Sequence, residues 1–359
     1  MIIVTRPDAT EEDIDRIRER VEALGVRTHL SRGAHHCVIG CVGDEEPVAE
    51  LPLRSMPGVE AVHPVMKPYK LAAREFVAEP TEIPLGDGVV GGSRFTVVAG
   101  PCSVEGREML SATAKAVRDA GAHALRGGAF KPRTSPYSFR GLGMEGLELL
   151  AEVRREDGLP VVTEVMDTRQ VEVVAEHADL LQIGARNMQN FALLSEVGRV
   201  QRPVLLKRGM SATVEDLVLA AEYVMRQGNT HVILCERGIR TFETATRNTM
   251  DLGAIPILKR ETHLPVLADP SHAGGLRELV APLGYGAAAA GADGLMVEVH
   301  PEPAAALSDG DQSLTFPGFR SFMEGLERFV VAAGRTLRDG VEHAAPPESE
   351  KAGAPATTA

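Results

Sequence analysis

The sequence predicts an α/β protein: a (β/α)8 TIM barrel preceded by a small ferredoxin-like α+β domain. Three observations carry that expectation. From Phe95 onward, eight short apolar runs recur, each followed by a segment long enough for a helix. Nearly continuous apolar strands separated by amphipathic segments mean a parallel sheet covered on both faces, and eight such units in roughly 250 residues match a closed barrel. Ahead of Lys67 the order changes to strand-helix-strand-strand-helix-strand, the split βαβ pattern. Finally, the side chains capable of chemistry stand where the apolar runs end, which is where barrel enzymes gather their active sites.

In the first domain, expected over residues 1–70, Ile2 to Thr5 reads as a strand. Thr10 or Asp13 caps a helix that carries Ile14, Ile17, Val21 and Leu24 at helical spacing and stops at Gly25. Val26 to Leu30 and His36 to Val42 read as strands, a short helix follows Glu46, and Val59 to Val65 closes the set. Cys37 and Cys41, near His35 and His36, share one face of a strand; a buried core strand is favoured over a zinc site. Residues 71–92 hold Pro80, Pro84, Gly86, Gly88, Gly91 and Gly92 and are expected to be a linker. The barrel is expected over 93–338, with strands Phe95–Ala99, Ala124–Phe130, Val161–Val165, Leu180–Ile183, Val204–Leu206, His231–Cys235, Val266–Ala268 and Gly294–Val299. The last helix is placed at Phe319 to Leu337. Residues 339–359 are rich in Ala and Pro without apolar periodicity and read as a disordered tail.

Composition sets the outer limits. The 359 residues are 44% hydrophobic, ample for a large core, and the 36 Gly and 23 Pro fit many short turns. A net charge of −12 argues against nucleic-acid binding, which carries a basic footprint, yet allows local cations to focus their field on an anionic substrate. No apolar stretch approaches the ~20 residues of a membrane span, and Met1-Ile2-Ile3-Val4-Thr5-Arg6 has no signal-peptide layout, so a cytoplasmic location is expected. Four cysteines are too few and too scattered for a disulfide framework.

Cys102, in Gly100-Pro101-Cys102-Ser103, ends strand one. His272, in Asp269-Pro270-Ser271-His272, follows strand seven; Glu298 ends strand eight, and Asp309 lies in the loop beyond. Strand eight of a closed barrel lies between strands seven and one, so these residues become neighbours. A thiolate, an imidazole and two carboxylates can hold one divalent metal with a position left open, and the mixture of soft and hard donors suits Mn, Fe, Co or Zn better than Mg or Ca.

A second set is cationic. Arg186, Lys207 and Arg237 end strands four, five and six. Three adjacent cations directed inward repel one another unless an anion joins them, and a phosphate is the natural guest. The segment Arg126-Gly127-Gly128-Ala129-Phe130-Lys131-Pro132-Arg133-Thr134-Ser135 adds three cations and two hydroxyls at the end of strand two, enough to grip two further anionic groups. Glu164 and Asp269 are candidates for orienting a water or the His272 ring. Arg208 and Arg240 are expected at the surface or behind the site.

Taken together, Gly-Pro-Cys-Ser, Lys-Pro-Arg-Thr-Ser, Gly-Ala-Arg-Asn, Leu-Lys-Arg-Gly, Cys-Glu-Arg-Gly, Asp-Pro-Ser-His and Val-Glu-Val-His resemble 3-deoxy-D-arabino-heptulosonate 7-phosphate (DAHP) synthase over residues 95 to 330. The small leading domain resembles that of the type I-beta branch, where it senses an aromatic amino acid. The resemblance implies metal-dependent, aldol-like condensation of phosphoenolpyruvate with erythrose 4-phosphate, the first step of the shikimate pathway. It implies that Cys102, His272, Glu298 and Asp309 bind the metal. Arg186 with Ala185, Lys207 and Arg237 would hold the phosphoenolpyruvate phosphate, Arg126 and Lys131 its carboxylate, and Arg133, Thr134 and Ser135 the aldose phosphate. Lys131 is the candidate proton donor. It further implies that His29 and Ser31 contact a regulatory Phe or Tyr and that the chain assembles, as a tetramer in such families.

Two alternatives stay open. A 3-deoxy-D-manno-octulosonate 8-phosphate synthase would use arabinose 5-phosphate, but that family carries Lys-Ala-Asn-Arg where this chain runs directly Lys131-Pro132-Arg133. A non-catalytic amino-acid-sensing barrel would be expected to have lost ligands, whereas every candidate is present.

Overall fold

The computed structural model describes residues 1–33, 36–44, 46–64, 67–132, 135 and 137–337. These form two compact units, the first spanning Met1–Pro68 and the second beginning at Tyr69. The expected tail, 339–359, lies outside the described residues.

In the first unit β1 (Ile2–Thr5), β2 (Arg27–Arg32), β3 (Cys37–Val42) and β4 (Val59–His63) form an antiparallel sheet in the order β2-β3-β1-β4. Helix α1 (Glu11–Glu22) starts in a capping box: the Thr10 hydroxyl accepts the Asp13 N–H, and the Asp13 carboxylate accepts the Thr10 N–H. Ile14, Ile17 and Val21 on its inner face bury against Ile3, Ile39 and Val59. Leu24 falls beyond the helix and is exposed. Cys37 and Cys41 flank Ile39 and bury with it. A second short helix, α2 (Glu46–Ala49), precedes β4. His35 lies outside the described residues.

The second unit is a closed parallel barrel of eight strands: β7 (Thr96–Gly100), β8 (Ala124–Arg126), β9 (Val161–Glu164), β10 (Leu180–Ile183), β11 (Val204–Lys207), β12 (Val232–Glu236), β13 (Val266–Ala268) and β14 (Gly294–Glu298), with β14 pairing back onto β7. Helices α3 (Arg107–Asp119), α4 (Met144–Asp157), α5 (Val171–His177), α6 (Phe191–Val197), α7 (Val214–Met225) and α8 (Ala254–Glu261) follow the first six strands. α9 (Pro270–Gly274) and α10 (Arg277–Ala289) follow β13, and α11 (Phe316–Ala332) follows β14. Among the described residues, no helix is long and apolar enough to cross a membrane. α11 begins earlier than the sequence suggests, because the Thr315 hydroxyl caps the Gly318 N–H and Pro317 fits the first turn. The second barrel strand stops at Arg126 rather than Phe130. There Gly127 still donates to the Val162 carbonyl of β9, but Gly128 leaves the ladder and donates to the Cys102 carbonyl instead.

The segment expected to be a linker is part of the second unit. Within it β5 (Ile83–Leu85) and β6 (Gly88–Val90) form a hairpin whose Ile83, Leu85 and Val90 share a core with the inward-facing Val98, Ala124, Leu205 and Met296. Hydrophobic burial overrides the Pro/Gly composition, and the hairpin closes one end of the barrel. Its lead-in is fastened by Glu222, buried on α7, which accepts the N–H groups of Lys70 (2.9 Å) and Ala72 (2.7 Å). Glu222→Ala would deprive both donors of that acceptor, and we expect a loss of about 2–3 kcal/mol in chemical denaturation, with no change in catalytic constants.

Candidate active site

Parallel strands end together, so their last residues and the first residues of the following loops share one rim. Because β14 lies between β13 and β7, that rim brings Cys102, just past β7, His272 on α9 and Glu298 at the end of β14 together. Asp309 joins them from the loop after β14. One ligand atom from each of the four lies within 4.8 Å of the others.

Each member is held by its own contacts. The Asp269 carboxylate caps α9, accepting the His272 backbone N–H at 2.9 Å and the ring Nδ1–H at 2.8 Å. This directs the unprotonated Nε2 toward Glu298 Oε1, 3.5 Å away. Burial lowers the His272 pKa, which keeps the imidazole neutral and able to donate a lone pair. Although burial opposes its charge, Asp269 stays well below the usual carboxylate range, because of the His272 contacts and the Lys207 ammonium. Cys102 donates its thiol proton to Asp309 Oδ2 at 3.0 Å, and burial beside Glu298 pushes that thiol up to about 12. Asp309 has φ 51°, the one non-glycine residue in the left-handed region among those described. That conformation costs roughly 1–2 kcal/mol and is one that aspartate tolerates. An imidazole lone pair and a carboxylate oxygen thus face each other with no proton between them, beside a second carboxylate and a thiol. A divalent cation resolves that arrangement, so the residues fit a metal.

Beside the four donors opens a cavity of about 320 Å³. Lys131, Arg186, Lys207 and Arg237 line it, with Ala185, Glu164 and Ser135. Lys207 is paired with Asp269, whereas Arg186 and Arg237 have no carboxylate partner among the described residues. Burial depresses the Arg237 guanidinium below its ordinary value, the mark of a cation held without full compensation. Lys131 is buried, and its Nζ donates to the Cys102 carbonyl at 3.1 Å. Arg126 lies deeper: Nη1 pairs with Glu298 Oε1 at 2.8 Å, and the buried Nε has no partner among the described residues. Glu164 accepts from Gln182 at 3.3 Å. Arg208 is buried rather than on the surface, paired with Glu236 (2.8 Å) and Asp251 (2.9 Å) behind this wall, while Arg240 is exposed.

Arg133 and Thr134 lie outside the described residues. His29 and Ser31 belong to the first unit, where both are exposed on β2, an edge strand. Sequence reasoning missed four residues. Gln182 was detectable, being a polar residue at an inward position of an apolar strand. Gly184 is needed because a Cβ there would stand 2.1 Å from Glu164 Oε1. Arg247 and Gln312 sit in loops and gave no periodic signal.

A family model for the DAHP synthetase I family matches residues 75–331, and one for the DAHP synthase ferredoxin-like domain matches residues 1–67. The chain belongs to the DAHP synthetase I family. Within that family it is 53% identical, over 93% of its length and 99% of the relative's, to phospho-2-dehydro-3-deoxyheptonate aldolase of Thermotoga maritima. A crystal structure of the DAHP synthase from T. maritima superposes with a TM-score of 0.90 at 52% identity, covering 93% of this chain and 98% of that one. More distant is a 2-dehydro-3-deoxyphosphooctonate aldolase of Syntrophobacter fumaroxidans, 37% identical over 66% of this chain and 88% of the relative. The DAHP synthase relatives span both units; the octonate aldolase covers a shorter stretch.

Proposed function

We propose that the chain condenses phosphoenolpyruvate with erythrose 4-phosphate, giving DAHP and inorganic phosphate, with one divalent metal held by Cys102, His272, Glu298 and Asp309. The observation that carries this reading is the convergence of those four donors beside a cation-lined cavity on one barrel rim. When bound, the metal supplies Lewis-acid polarisation of the aldehyde oxygen. Mn, Fe, Co or Zn suits the donor set.

The chain's own groups do the rest. Arg186, Lys207 and Arg237 hold the enol phosphate, and Ala185 packs beside it. The orphaned Arg126 Nε, with Lys131, is available to its carboxylate. Ser135, with Arg133 and Thr134, grips the aldose phosphate. That grip sets the aldehyde against C3 of the enol, so that the new C–C bond forms within a bound pair. Lys131 delivers a proton to the new hydroxyl. Glu164, held by Gln182, orients the water that adds at C2, and the resulting hemiketal collapses with loss of phosphate.

The direct Lys131-Pro132-Arg133 run favours the four-carbon aldose. A phosphate-release assay pairing phosphoenolpyruvate with erythrose 4-phosphate or arabinose 5-phosphate tests it; turnover with the five-carbon sugar alone reverses the choice. Asp269→Asn tests the ligand assignment. It leaves Lys207 without its counter-ion and removes the carboxylate that orders the His272 tautomer. We expect a 10–100-fold loss of metal affinity by competitive titration and about 3 kcal/mol of stability by denaturation.

Regulation belongs to the same reading. His29 and Ser31, adjacent on the exposed face of β2, are the contacts for an aromatic amino-acid inhibitor, and the working form is a homo-oligomer, a tetramer. Phe, Tyr or Trp should inhibit the native chain, and His29→Ala with Ser31→Ala should release that inhibition without lowering uninhibited turnover.

A further inference from the structure

We propose that Arg247 and Gln312 form a polar bridge that orients the two carboxylates of the metal centre and so sets its metal affinity. Arg247 lies in the loop between β12 and α8. Its Nη1 donates to Asp309 Oδ1 at 3.0 Å and to Gln312 Oε1 at 2.8 Å. Gln312 is buried, and its Nε2 donates to Glu298 Oε2. The amide can point only one way, with oxygen to the guanidinium and nitrogen to the carboxylate. One continuous chain of hydrogen bonds therefore runs Asp309–Arg247–Gln312–Glu298. It occupies one oxygen of each carboxylate; of the other two, Asp309 Oδ2 faces Cys102, and Glu298 Oε1 faces His272 while also accepting from Arg126.

The backbone of the same loop is laced to the element that carries the third ligand. Arg247 N donates to Gly274 O, Asn248 N to Ala273 O, and Asn248 Nδ2 to His272 O. Gly275, at φ 73°, makes room for this packing: a Cβ there would stand 2.4 Å from Arg247 Cβ. Arg247 is thus tied to His272 through the backbone, to Asp309 directly and to Glu298 through Gln312. An exposed arginine paired with one carboxylate contributes little to stability, but one that aligns ligands of a metal acts on the metal's affinity. Both are positioning residues.

The inference rests on the metal centre proposed above, and its test separates the two. Full-length apo protein is titrated with Co(II) against a competing chelator, reading the thiolate-to-cobalt charge-transfer band of Cys102, with apo melting curves alongside. The native chain should show the band. Arg247→Met and Gln312→Met should each weaken Co(II) binding about 10–100-fold. The double variant should be little weaker than either single one, because each breaks the same bridge. Arg247→Met should leave the apo melting curve unchanged, and it carries the test alone if Gln312→Met does not fold. Native affinity in Arg247→Met overturns the bridge, as does weakening that multiplies in the double variant. No thiolate band in the native chain overturns the metal centre itself, and the inference with it.

Discussion

Cys102→Ser is expected to lower turnover at least ~10³-fold while leaving the fold intact, and chelation of the native chain should reproduce the loss. The Cys102 thiol is buried and donates to Asp309 Oδ2. A serine hydroxyl fits the same space and can make the same hydrogen bond, so the apo protein should melt near the native temperature. The variant does not, however, restore a soft, ionisable donor. A thiol pushed up to about 12 by burial stays protonated in the apo protein and becomes a strong ligand once a cation takes the proton's place; an alcohol does not. Losing electrophilic assistance worth several kcal/mol accounts for the factor. Chelator treatment followed by separate addition of Mn, Fe, Co and Zn should restore the native chain and not the variant. Full activity in Cys102→Ser would remove the metal from the mechanism.

The barrel was legible because a closed parallel sheet imposes a strong pattern. Short runs such as Val161–Glu164 and Leu180–Ile183 are buried at every position, and they stand out against the amphipathic helices between them. The rim was legible for the same reason, since a charged residue ending such a run can go only to the open end. Two features were not. The hairpin Ile83–Val90 hides in a Pro/Gly-rich stretch, because three-residue strands give too few positions for alternation to register and their burial depends on a barrel assembled later in the chain. The Arg247–Gln312 bridge joins two loops 65 residues apart by polar contacts alone, and local pattern carries no information about such pairing. Arg126 falls between the two. Its position was readable, but its pairing with Glu298 was not, because the sequence does not say which cation lies deeper.

Lys131→Met is expected to lower kcat by about 10²–10⁴-fold, with a smaller rise in KM for phosphoenolpyruvate, whose carboxylate it also meets, and little change in KM for the aldose. Methionine conserves the length and bulk of the buried stem and removes only the ammonium. Burial works against that charge, but neighbouring Cys102 and Glu164 more than offset it, so the lysine enters the reaction protonated. Its Nζ is fixed by the Cys102 carbonyl, 3.1 Å away, on the wall of the cation-lined cavity that His272 and Asp309 also line. A proton donor so placed contributes 10²–10⁴-fold, whereas a residue that only bound carboxylate would show its loss chiefly in KM. Gly128 offers a second route to the same conclusion. A Cβ there would stand 2.7 Å from Lys131 Cδ and 2.8 Å from Cys102 O, so Gly128→Ala displaces the lysine without touching its chemistry. If Lys131 is the donor, Gly128→Ala lowers kcat in the same direction and by less than Lys131→Met. A rise in KM alone in Lys131→Met would reduce Lys131 to a binding group and pass the proton transfer to another residue of the rim.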